Sequence, residues 1–167
     1  MKQGDIIERK YLAHFIDEEF DITYASTQYK RMGEDLEEYN IDMNPDTEEK
    51  ENILGETSFQ VKSYKPSSSV ETYYARKGST LWEKLKAIVD KRSKGSELKT
   101  TVVDVMLAVD DEDNVTVEDA YREDVIVVPQ SLGGGTDGIQ IPFEIHYVGN
   151  RTKGSFDLST KKFTASS

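Results

Sequence analysis

Only one stretch of the chain repeats its apolar side chains at helical spacing, and long strand-like runs lie on either side of it. Leu81, Trp82, Leu85, Ile88 and Val89 recur every three or four residues, which places them on one stripe of a helix from Ser79 to about Arg92. Glu83, Lys84, Lys86, Asp90 and Lys91 fall largely outside that stripe, so one face is to be buried and the other solvated. Thr80-Leu81-Trp82-Glu83 has the spacing of a capping box with Thr80 as the cap, and Gly95 is a natural stop beyond the cations Lys91, Arg92 and Lys94. A single such helix cannot enclose a core, so the strands must supply the rest.

The strongest period-two alternation is Ile139, Ile141, Phe143, Ile145 and Tyr147. Leu98 to Val109 is an extended Thr/Val-rich run, and Tyr121 to Pro129 contains Val125-Ile126-Val127-Val128, apolar on both faces and therefore central. Arg9 to Ile16 is patterned on two sides, and Leu36 to Met43 alternates with Tyr39, Ile41 and Met43 on one face. Asn44-Pro45 ends that strand, and the next runs from Thr57 to Tyr64 with Phe59 and Val61 inward. Between them, residues 44–56 form a protruding acidic loop at the tip of a hairpin. Pro66-Ser67-Ser68-Ser69 reads as a short polar linker and Gly149-Asn150-Arg151 as a tight turn, while Pro142 points to an edge strand because it cannot donate to a ladder. With no β-α alternation, the expectation is one mainly β domain over residues 1–167: two packed antiparallel sheets, a sandwich or barrel, flanked by one α-helix.

Several chemistries lose support from the residues themselves. The chain has no Cys, which removes thiolate catalysis, disulfides and Cys-based zinc sites, and neither a signal-peptide pattern nor a membrane-length apolar run is present. Gly133–Gly138 lacks the Lys-Ser/Thr and following helix of a phosphate loop. Asp110–Asn114 spaces oxygens like a calcium loop but puts Val115 where Gly is required and Tyr121 where Glu is required. His14 and His146 stand alone on strands, and no pair is singled out among carboxylates such as Glu37-Glu38. No cofactor, metal or catalytic site is therefore expected. Charge says more. Residues 1–60 hold 6 Lys/Arg against 16 Asp/Glu, whereas Arg76–Lys99 holds 8 against 3. Tight nucleic-acid binding is disfavoured in a chain of net charge −11, but acidic and basic regions of separate copies attract. The candidate self-assembly residues are Asp46, Glu48, Glu49, Glu51, Ile53 and Leu54 on the hairpin, and Lys84, Lys86, Lys91 and Arg92 on the helix.

The segment Gly33-Glu34-Asp35-Leu36-Glu37-Glu38-Tyr39-Asn40-Ile41-Asp42-Met43-Asn44-Pro45, followed by Asn52-Ile53-Leu54-Gly55-Glu56 and Tyr73-Tyr74-Ala75-Arg76, resembles the tail tube (major tail) proteins of phages and prophages of Gram-positive bacteria. Tyr121-Arg122-Glu123-Asp124-Val125 and Gln140-Ile141-Pro142-Phe143-Glu144-Ile145-His146-Tyr147 look similar to the same group, so the resemblance spans about Arg31 to Phe163. It implies a virion structural protein made in the host cytoplasm, whose copies join into hexameric rings that stack as a tube. Its partners would be itself and other tail proteins, with genomic DNA only as passing cargo and no membrane. The alternatives are a baseplate or tail-terminator ring, which forms one ring and stops, and a carbohydrate-binding sandwich.

Overall fold

The computed structural model describes residues 2–166. After a short 3-10 turn at Arg9–Tyr11 come β1 (Leu12–Asp17), β2 (Tyr29–Met32), β3 (Pro45–Glu51), β4 (Thr57–Tyr64) and β5 (Ser67–Val70). Helix α1 (Thr80–Lys91) follows, then β6 (Lys99–Val109), β7 (Val115–Pro129), β8 (Phe143–Asp157) and β9 (Lys162–Ala165). The protein is mainly β with one helix and two antiparallel sheets, as its patterning predicts. The larger sheet has the order β2-β1-β6-β7-β8-β5, with β9 also on β8, and it curls into a half-barrel. The smaller is the ribbon β3-β4.

The curl gives the large sheet two cores. On one face, Ile16, Val102, Val125, Val127, Phe143 and Ile145 pack under Leu81 and Leu85 of α1. On the other, Ala13, Phe15, Val103 and Val105 meet Tyr29 and Phe156, brought round by the ends of the sheet. The Phe15 and Phe156 rings lie 4.5 Å apart and the Tyr29 and Phe156 rings 6.0 Å. Adjacent residues such as Val102 and Val103 serve opposite cores, which is why the central strands are apolar on both sides.

Several expectations are corrected. The helix is capped one residue early: Ser79 accepts from the Trp82 N–H at 3.4 Å, and Arg92, in the left-handed region, closes the other end before Gly95 is reached. The Glu18 carboxylate accepts from the Leu81 N–H at 3.1 Å, fastening the helix start to the segment just after β1. Residues 36–43 form no strand; only Asp42 bridges, to Ser67, and Tyr39 is buried through its ring and hydroxyl instead of a ladder. Pro45 begins β3 instead of ending a strand, a position where its missing N–H costs no ladder bond. Ser67–Ser69 is no linker but part of β5, paired on β8. Pro142 precedes β8, which has neighbours on both sides and is not an edge. Gly149-Asn150 is not a turn but an irregularity inside β8 opposite Asp124.

Candidate assembly interface

The ribbon β3-β4 stands out from the domain. Its strands pair Glu49 with Phe59, Thr47 with Val61 and Glu51 with Thr57, so these six share one face. On the opposite face Glu48 meets Lys50 at 3.7 Å and Lys62 at 3.1 Å. Two of the six, Phe59 and Val61, are apolar, and no described residue covers them: Phe59 is 68% and Val61 45% exposed, so neither points inward as their alternation implied. An isolated two-stranded ribbon is marginal in water, and one that spends aromatic and branched residues on solvent is incomplete alone.

The tip is built locally. Asn52 Oδ1 accepts from the Leu54 and Glu56 N–H groups at 2.9 and 3.0 Å, and the Gly55 N–H donates to the Asn52 carbonyl at 3.0 Å. Gly55 sits at φ 78°, where a side chain would strain the turn. This scaffold presents Ile53 fully exposed and Leu54 three-quarters exposed. Acids flank the pair on both sides, Glu51 at the end of β3 and Glu56 beside Asn52, while Asp46 lies near the stem opposite Ser63.

On and around the helix the cations divide. Lys86 is held by Asp90 at 2.5 Å, while Arg76 pairs with Asp35 and Glu34 and Lys99 with Asp124. Lys84, Lys91, Arg92 and Lys94 make no ion pair among the described residues, although Arg92 donates to the Val89 carbonyl and caps the helix end. No ion pair joins hairpin acids to helix cations within the chain, among the described residues.

Two arrangements escaped sequence reading. The first is an open cleft of about 680 Å³ between the end of α1 and the end of β7. Ile88, Val89, Leu98 and Leu132 give it apolar walls, and Arg92 and Lys94 line its rim. The second is a buried polar knot. His14 Nδ1 lies 2.6 Å from Asp104 Oδ1, its Nε2 is 3.0 Å from the Arg9 guanidinium, and the Tyr39 and Tyr147 hydroxyls are 3.2 Å apart. Arg9 can only donate, so Nε2 accepts and the imidazole proton sits on Nδ1, directed at Asp104. Burial pushes the Tyr39 phenol up to about 12, and burial together with the Asp104 charge pushes Tyr147 higher still. The knot fastens the 36–43 segment to the sheet; His146 lies apart, exposed beside Glu144. Asp110 turns its carboxylate onto the N–H groups of Glu112 and Asn114, closing its own turn. Among the described residues no three His, Asp or Glu converge as a metal site, and no helix is long and apolar enough to cross a membrane.

No protein-family profile and no curated protein matches the chain. Solved structures do. The fold is similar to that of the tube-terminating cap of the anti-feeding prophage, with TM-score 0.54 and 10% identity over 93% of this chain and 95% of that one. It is also similar to the sheath/tube terminator of the PVC extracellular contractile injection system in its extended state, with TM-score 0.55 and 9% identity over 92% of this chain and 100% of that one. At such identities the likeness is one of fold.

Proposed function

We propose that the chain is a non-enzymatic structural subunit of a phage-tail-like tube, one that forms a ring at the tube's end. The observation that carries the reading is that its fold matches two tube terminators over nearly the whole of each chain. A ribbon that exposes Phe59, Val61, Ile53 and Leu54 fits a subunit completed by neighbours. Acidic and basic surfaces that do not pair with each other within one chain fit a head-to-tail contact, which closes as a ring when the rotation between copies allows. The partners are then other copies, six in the arrangement that the tail tube resemblance implies, together with other tail proteins, and DNA crosses the lumen only as cargo. The second reading, a major tube subunit whose rings stack, rests on the sequence resemblance.

Negative-stain microscopy of the purified protein at rising concentration separates them. Closed rings that do not stack are expected for the terminator, tubes for the tube subunit. Dispersed monomers at every concentration overturn both.

A further inference from the structure

We propose that the hairpin tip of one copy seats in the cleft beside α1 of the next. Ile53 and Leu54 enter between Val89 and Leu132, and Glu51 and Glu56 meet Arg92 and Lys94. The contact rests on the ring reading above and supplies the receptor for the exposed tip.

Four observations lead to it. The tip carries two adjacent apolar side chains held out by a turn that makes its own hydrogen bonds, so docking costs little ordering. The cleft offers apolar walls of matching character, with Leu132 41% exposed at its mouth. The charges have opposite sign: the tip is bracketed by Glu51 and Glu56, and the rim carries Arg92 and Lys94. Asp90 also lines the rim, but Lys86 neutralises it at 2.5 Å. A comparable open cleft elsewhere is lined by Asp35, Glu37, Glu38 and Glu71 and repels an acidic tip. The eight residues of β4 extend about 25 Å at roughly 3.3 Å per residue, which carries the tip well away from its own core.

The absence of native cysteine makes the contact directly testable. Leu54→Cys at the tip and Ser131→Cys at the cleft are made in separate chains of different tag length, mixed and oxidised. The expected product is a heterodimer whose disulfide-linked peptides contain residues 54 and 131. Leu54→Cys mixed with Glu112→Cys, on a turn that does not line the cleft, is the background control. Lys94→Glu is expected to weaken self-association roughly tenfold in sedimentation, and Glu51→Lys in the same chain to recover it. Wild-type protein that forms rings while the 54–131 link stays at control level overturns the tip contact and leaves the ring reading standing. Wild-type protein that never self-associates removes both.

Discussion

At the scale of single residues, Asp124 shows how the half-barrel uses buried charge. It is 4% exposed, yet one carboxylate oxygen accepts from the Tyr24 hydroxyl at 2.7 Å and the other from the Asn150 amide at 2.6 Å, with Lys99 at 3.4 Å. Burial pushes its pKa up, but the two hydrogen bonds and the lysine outweigh that and hold it below the usual carboxylate range. A folded-state value below the unfolded one means the ionised form is favoured by folding. The stabilisation is therefore complete above the unfolded value of about 3.9 and disappears as pH falls through the folded one. Asp124→Asn is expected to melt roughly 5 °C below the wild type at pH 7, with the gap closing as the pH drops below about 4. Calorimetry across that range checks it, and a gap as wide at pH 3 as at pH 7 contradicts the assignment. The residues that make this site are visible in sequence, but Gly149-Asn150 has the pattern of a turn there. Gly and Asn supply positive φ equally to a turn and to a bulge, and only the long partner strand β7 decides between them.

At the scale of elements, strands were legible where pairing and patterning agree. The β-branched runs of β6 and of β7 from Ala120 onward lie near their predicted positions because both of their faces are largely covered, and Phe143–Tyr147 of β8 does because its buried residues alternate with Glu144 and His146, so side-chain patterning alone dictates extension. Residues 36–43 alternate just as well but have no ladder to join, while the serines of β5 show no apolar pattern and are strand only because β8 is there to pair with. The candidate assembly residues divide likewise. The hairpin acids and the Ile53-Leu54 tip could be named because exposed residues act through their identity; the cleft could not, since residues 88–98 and 128–132 meet only in the folded chain. Helix capping is the sharpest local difference. Ser79, not Thr80, accepts the N–H bond, and the Ser79 hydroxyl also meets Tyr73 at 3.1 Å. Ser79→Ala is accordingly expected to cost about 1 kcal/mol, or about 2–4 °C in a domain this size, and Thr80→Ala a few tenths at most. Paired thermal melts test this, and a larger loss at Thr80 than at Ser79 would return the cap to Thr80.

At the scale of the whole molecule, the proposed contact gives the domain and its projection separate tasks. The cores on both faces of the curled sheet draw no buried residue from β3 or β4, so the ribbon adds no core burial to the domain's stability. Its stem is held by other bonds: the Asp42 N–H to the Ser67 carbonyl at 2.8 Å and the Lys65 N–H to the Met43 carbonyl at 3.2 Å. Pro45 and Tyr64 face each other where the ribbon departs, so residues 46–63 can be replaced by Gly-Gly without stretching the chain. This excision is expected to leave the melting temperature within a few degrees of the wild type and to abolish self-association. Loss of folding would make the ribbon part of the domain's own stability. Folded protein that still forms rings would move the interface to the edge strands of the half-barrel, β2, β5 and β9, whose unpaired backbone groups are the other sites where a neighbouring copy can add. Circular dichroism and sedimentation on one preparation tell these outcomes apart, because the first reads the sheet that remains and the second reads only what the ribbon does for other copies.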